Sequence, residues 1–220
     1  MTGTTPFLIL LGGDLTPTPR IRRQIAGLRT IAADGGMRHA GVLGVEPELW
    51  VGDFDSSPPA LAGDWSHVAR QSHPAAKDAT DGALAAEEAV ARGADRLVIA
   101  GALGGERSDH ALQNLLHGAA LRARGLPVLL TSGHEEAWPL VPGEQALDLP
   151  AGSLFSVLAL TDLTALTLEG VDWPLLDRNV PMGGSLTLSN RVAQGANGIR
   201  IRLGDGRAVL LSRPYDLEKA

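Results

Sequence analysis

The chain has 220 residues, of which 25 are acidic and 19 basic, giving a net charge of -6, and it has no cysteine. That acidic balance excludes a main role in gripping nucleic-acid phosphates, and the absence of cysteine excludes disulfides, thiolate metal sites and a thiol nucleophile. The length is enough for one large domain or two small ones, and the early apolar run Phe7 to Leu11 is too short for a membrane span and follows no basic leader. A soluble, cytoplasmic chain with no membrane partner is therefore expected.

In chain order, the first half alternates short apolar runs with helical segments, the pattern of a mainly parallel, Rossmann-like sheet with crossover helices. Phe7 to Leu11 is the first expected strand, closed by Gly12-Gly13-Asp14. Arg20 to Leu28 has Ile21, Ile25 and Leu28 at helical spacing. A strand from Thr30 to Ala33 ends at Asp34-Gly35-Gly36, and a helix from Arg38 to Leu43 leads to a strand at Leu49 to Val51. That strand runs into the acidic loop Gly52-Asp53-Phe54-Asp55-Ser56. In an extended segment, side chains two apart face the same way about 7 Å apart, so Asp53 and Asp55 would share one side. Their repulsion, roughly 2 to 3 kcal/mol at an effective dielectric of about 20, would become coordination around a divalent cation, and hard carboxylate oxygens suit Mg²⁺. A solvated turn, screened to below about 1 kcal/mol, is the plain alternative.

His67 to Gln71 is a further expected strand. Lys77-Asp78-Ala79-Thr80-Asp81 then precedes a helix over Gly82 to Ala91. Asp78 or Thr80 suits an N-cap, yet a cap needs one acid where the motif supplies two and a threonine, and Lys77 is a point charge for phosphate. A strand from Arg96 to Ala100 leads to Gly101-Ala102-Leu103-Gly104-Gly105. Glu106-Arg107-Ser108-Asp109-His110 opens a helix to about Arg124 with Leu112, Leu115, Leu116 and Ala119 on its apolar face and His110 partly buried. Val128 to Leu130 closes the alternating half. Gly-Gly pairs follow three expected strands, at 12 and 13, 35 and 36, and 104 and 105. Glycine admits close backbone approach to a ligand, and such sheets bind ligands beyond the carboxyl ends of their strands.

From Ala146 onward the pattern becomes short alternating runs at Leu154 to Leu160, Leu163 to Leu168, Leu186 to Leu188, Ile199 to Leu203 and Ala208 to Leu211. Turns such as Asn197-Gly198 and Gly204-Asp205-Gly206 separate them. This predicts an all-β, antiparallel sandwich. The reading is an α/β domain over 1–133, a linker at Ser132 to Gln145 and a β-sandwich over 146–220, with the cleft between two domains as a favoured ligand site.

The motifs Ala33-Asp34-Gly35-Gly36, Gly52-Asp53-Phe54-Asp55-Ser56, Lys77-Asp78-Ala79-Thr80-Asp81 and Gly104-Gly105 with Arg107-Ser108-Asp109-His110 resemble those of thiamine pyrophosphokinases, in order and at similar spacing. Gly170 to Leu175 with Trp173, and Leu186-Thr187-Leu188-Ser189-Asn190, resemble the family's substrate-side segments. One departure is Glu106, which stands between the glycines and Arg107 where the family usually has none.

The resemblance implies transfer of a diphosphoryl group from ATP to the hydroxyl of thiamine. Asp53, Asp55 and Asp81 would hold Mg²⁺, with Asp34 and Asp109 as further ligands or orienters of the hydroxyl and Arg107 and Lys77 on phosphate charge. Gly35, Gly36, Asp78, Thr80, Gly104, Gly105 and His110 would lie along the nucleotide. Ser189 and Asn190 would hydrogen-bond the aminopyrimidine and Trp173 would stack on a ring or face a cation, with thiamine held against the sandwich domain and across a homodimer interface. For Trp173 the alternative is a place in the sandwich core; for Ser189 and Asn190 it is a plain turn. A pyrophosphokinase of another acceptor such as a pterin, a metal-dependent phosphohydrolase and a non-catalytic nucleotide-binding module are the rival functions.

Overall fold

The computed structural model describes residues 4–54, 59–73 and 79–214. It divides into two compact units, Met1–His117 with Leu126–Gly133, and Gly118–Gly125 with His134–Ala220.

The first unit is built on six strands, β1 Pro6–Leu10, β2 Arg29–Ala33, β3 Pro47–Gly52, β4 Ala69–Ser72, β5 Arg96–Ala100 and β6 Val128–Thr131. Their order is β6-β5-β1-β2-β3-β4, and every neighbouring pair is parallel. Because β1 has partners on both sides, four of its five residues are buried, whereas β4 at the edge has none. Helix α1, Pro19–Ile25, starts where Thr18 Oγ1 accepts the Ile21 N–H and Pro19 fills the first turn. It stops short of the expected Leu28, because Gly27 takes a left-handed φ of 73°. A 3₁₀ turn at Asp34–Met37 leads into α2, Arg38–Leu43. α3 is Pro59–Asp64. α4, Asp81–Ala91, lays Ala85, Ala86 and Ala89 against the sheet at β1, β2 and β3. α5 is Ser108–Ala123. Among the described residues no helix is long and apolar enough to cross a membrane.

The second unit is β-rich. Its strands are β7 Glu136–Leu140, β8 Gly143–Leu147, β9 Leu154–Ala159, β10 Leu163–Glu169, β11 Leu175–Val180, β12 Asn190–Arg191, β13 Ile199–Leu203 and β14 Ala208–Arg213. They run in the orders β12-β9-β14-β7 and β11-β10-β13-β8, with antiparallel pairing. One apolar core takes Phe155, Val157 and Leu210 from the first set and Leu147, Leu166, Leu168 and Ile201 from the second. β13 shows the period of two directly, with Ile199, Ile201 and Leu203 buried and Arg200 and Arg202 exposed.

Four expectations are corrected. The segment from Ser132 to Gln145, read as a linker, holds β7 and the start of β8. Leu186 to Leu188 is a turn rather than a strand. It hooks onto β9 through the Thr187 hydroxyl on the Val157 carbonyl at 2.6 Å, while Leu188 N–H turns back to the Ser185 carbonyl. On α5, Leu112 and Leu116 are exposed, so its buried side is Gly118, Ala119 and Leu121 further along. His110, expected partly buried, is exposed.

Candidate active site

Parallel strands end on one edge, so β1, β2, β3 and β5 deliver their following loops to the same side of the first unit. The strand order reverses between β1 and β5, and such a reversal opens a crevice beyond the carboxyl ends. The loop after β1, Gly12-Gly13-Asp14, joins the loop after β5 through Leu11 N–H on the Ala100 carbonyl at 2.8 Å and Gly13 N–H on the Gly101 carbonyl at 3.0 Å. On its other side it meets the turn after β2, where a side-chain carbon on Gly12 would lie 3.7 Å from Gly35 and Gly36. A carbon on Gly52 would lie 3.4 Å from the Asp34 Cα. The motifs at 34 to 36 and 52 to 53 are therefore neighbours.

Several residues outside the expected set hold this edge together. Arg38 donates to the Gly12 carbonyl and, at 3.3 Å, to that of Gly13. The buried His39 ring meets the Gly13 carbonyl at 2.9 Å. Burial lowers the His39 pKa, so the ring favours its neutral form and serves as a single N–H donor there. Asn114 on α5 donates to the Ala102 carbonyl at 3.0 Å. The sequence signal for the first two was their position directly after Asp34-Gly35-Gly36-Met37; Asn114 left none.

Asp53 and Phe54 leave the end of β3, and Phe54 has a left-handed φ of 63°. The backbone of the acidic loop is thus turned rather than extended at Phe54. The turn is stabilised by rings: Phe54 meets Trp50 edge-on at 5.1 Å, and the Arg70 guanidinium lies 4.9 Å from the Trp50 ring and 5.5 Å from that of Phe54. Trp50 Nε1 also donates to the Asp34 carbonyl at 2.9 Å, tying the two acidic motifs to one buried side chain. Asp34 itself has a left-handed φ of 41°, a conformation that a short polar side chain tolerates better than most.

At the start of α4, Thr80 is the cap, its Oγ1 accepting the Ala83 N–H at 3.2 Å, and Asp81 occupies the first turn. Arg107 and Asp109 form a two-pronged ion pair, Nε to Oδ1 at 2.9 Å and Nη2 to Oδ2 at 2.6 Å, on an exposed segment. The Arg107 guanidinium holds the Asp109 carboxyl well below the usual carboxylate range. Gly104 and Gly105, with φ of 77° and 97°, lead into this pair through the exposed Glu106. Asp55, Lys77 and Asp78 lie outside the described residues. Among the described residues no three histidines or carboxylates gather as a metal cluster.

The residues expected on the acceptor side belong to the second unit. Trp173 is 60% exposed, so it is no core residue. Ser189 has a left-handed φ of 57°; its N–H donates to Ser156 Oγ at 3.0 Å and its side chain is exposed. Asn190 is buried, and its amide bonds the backbone of Trp173.

The model of the thiamin pyrophosphokinase catalytic domain matches residues 27–130, and that of the thiamin pyrophosphokinase vitamin B1 binding domain matches residues 144–207. Among curated protein sequences none matches the chain. Solved structures are also similar, among them the following three. Thiamine pyrophosphokinase from Bacillus subtilis is 22% identical with a TM-score of 0.84, covering 96% of this chain and 99% of its own. Its counterpart from Geobacillus thermodenitrificans is 21% identical with a TM-score of 0.81, covering 96% and 98%. Thiamin pyrophosphokinase from Candida albicans is 16% identical with a TM-score of 0.77, covering 96% and 89%. At these identities the likeness is one of fold.

Proposed function

The chain belongs to the thiamin pyrophosphokinase family, whose reaction moves a diphosphoryl group from ATP to the hydroxyl of thiamine and leaves AMP, and from that premise we propose which residues carry the reaction. The Rossmann-like edge of the first unit is the nucleotide site, within a catalytic domain taken as 1–133. The sandwich-like second unit, taken as 146–220, is the thiamine-binding and dimerisation domain. The observation that carries this assignment is the convergence of the Gly12, Asp34, Gly52 and Gly101 loops beyond the ends of β1, β2, β3 and β5. The domain-model matches at 27–130 and 144–207 point to thiamine, and a pterin acceptor is not favoured.

Phosphoryl-group transfer asks the protein chiefly for positioning and charge neutralisation. Asp53, Asp55 and Asp81 are proposed to hold Mg²⁺. The donor set fits, since aspartate oxygens are hard ligands and the chain has no cysteine to offer a soft one. When bound, the ion neutralises triphosphate charge. Asp34 orients the attacking hydroxyl and draws its proton. Arg107, once it leaves Asp109, meets the charge on the transferred group, with Lys77 beside it and Asp109 freed as a second orienter. The Gly35-Gly36 and Gly104-Gly105 backbones, with Asp78, Thr80 and His110, line the nucleotide. The exposed ring of Trp173 stacks on thiamine, and the exposed Ser189 hydroxyl bonds its aminopyrimidine.

Incubation of the purified chain with ATP, Mg²⁺ and thiamine should yield thiamine diphosphate and AMP in equal amounts by mass spectrometry. ADP with thiamine monophosphate would overturn the reaction type. A homodimer is also proposed. Five exposed large apolar residues, Trp173, Leu176, Met182, Leu186 and Leu188, fall within one short stretch, more than a solvated surface calls for. Sedimentation at the mass of one chain, 22.9 kDa, would refute it.

A further inference from the structure

The short chain pair around Trp173 is held by an unusual rung. Val171 bridges Val192, Ala193 N–H donates to the Gly170 carbonyl at 2.9 Å, and Asp172 N–H donates to the Arg191 carbonyl at 2.9 Å. The next rung is made by a side chain. Asn190 Oδ1 accepts the Trp173 N–H at 3.2 Å, and Asn190 Nδ2 donates to the Trp173 carbonyl at 2.8 Å. Oδ1 also accepts the Arg191 N–H at 2.8 Å. The amide thus stands in for a peptide group of the ladder and satisfies both backbone groups of Trp173.

Two exposures decide what this arrangement can do. Asn190 is 5% exposed, while Trp173 is 60% exposed. The amide is therefore committed inward, its oxygen carrying two donors, whereas the ring is offered to solvent on a backbone that cannot shift without breaking the rung. A large aromatic held rigid before its ligand arrives loses little freedom on binding. We propose that Asn190 is a positioning residue: it fixes Trp173 for stacking on thiamine and does not touch thiamine itself. This rests on the reading of Trp173 as the thiamine platform, and it replaces the direct contact expected of Asn190 from the sequence.

A double-mutant cycle on the thiamine KM tests it. Trp173→Ala should raise that KM on the order of tenfold, the scale of one lost stacking partner. Asn190→Ala in the unaltered chain should raise it severalfold, with kcat at saturating thiamine and the KM for ATP within about twofold of the original. On the Trp173→Ala background, Asn190→Ala should add less than about twofold, because its effect passes through the missing ring. Asn190→Leu keeps the buried volume, removes the same hydrogen bonds and runs the same cycle should the alanine variant not fold. As a second readout, the emission due to Trp173, taken as the difference from a Trp173→Phe variant, should become more readily quenched by acrylamide when Asn190 is replaced. Equal factors in both backgrounds would show that Asn190 contacts thiamine directly and would overturn the proposal. An unchanged KM in Trp173→Ala would overturn it differently, by removing thiamine from Trp173 altogether.

Discussion

Asp53→Ala is expected to lower the rate of thiamine diphosphate formation on the order of a hundredfold or more at saturating Mg²⁺, the scale seen when one preorganised charge-stabilising group is removed. The argument begins with the end of β3. Gly52 pairs with Ser72 at the last rung of the sheet, and Asp53 is the first residue beyond it. The following residue is locked, since Phe54 sits at a φ of 63° against Trp50 and Arg70, so the carboxylate leaves the strand in a defined direction rather than from a loose turn. Gly52 also lies against Asp34, which brings a second proposed site carboxylate to the same edge. Such a group acts on charge that develops during transfer, and its loss is not recovered by adding substrate. The loss should therefore fall mainly on kcat, with a higher Mg²⁺ requirement, and the melting temperature should stay close to that of the unaltered chain. Asp64→Ala is the control, an exposed acid at the end of α3 and outside the proposed site. Turnover of Asp53→Ala within about threefold of the original would remove Asp53 from the metal assignment.

How much of this was readable from the sequence depends on where the determining contacts lie. β1, β2, β3 and β5 were legible because buried parallel strands are continuous apolar runs closed by glycine or acid, a signal contained within each strand. β7 was not, since Pro139 stands in its middle and the buried Glu136 at its start, residues that argue against a strand until Pro139 is seen opposite Val209 of β14. β11 left no alternation either, because Asp177, Arg178 and Asn179 are all exposed in succession. The opposite error arose at Leu186 to Leu188, where an apolar-polar-apolar pattern came from two exposed leucines around a buried threonine. Of the candidate site, the motifs at 34 to 36 and 52 to 54 could be picked out by residue type and order, and the structure makes them neighbours. The bend at Phe54, packed against Arg70 of another strand, could not, and neither could the hydrogen bonds of the Asn190 amide to Trp173, 17 residues away.

The second large effect concerns a residue with no chemistry of its own. Gly36→Ala should lower the melting temperature by roughly 5 to 10 °C, corresponding to about 2 to 3 kcal/mol of overpacking in a chain of this size. A carbon added at Gly36 would stand 2.5 Å from the Leu10 carbonyl carbon and 2.9 Å from the Leu11 nitrogen. Both are backbone atoms, and they cannot retreat, because Leu10 is paired with Ala32 on one side and Ala100 on the other. The Asp34-Gly35-Gly36 turn must move instead. That would loosen its contact with the Gly12 loop and the Trp50 bond to the Asp34 carbonyl, so activity below the melting point should also fall. Gly41 supplies the contrast. It lies inside α2 with nothing within 4 Å of an added carbon, so Gly41→Ala should gain up to about 1 kcal/mol from helix propensity and leave turnover unchanged. Thermal melts of the two variants separate the effects: if Gly36→Ala melts within about 1 °C of the original, the close approach of the β2 turn to β1 does not constrain the site.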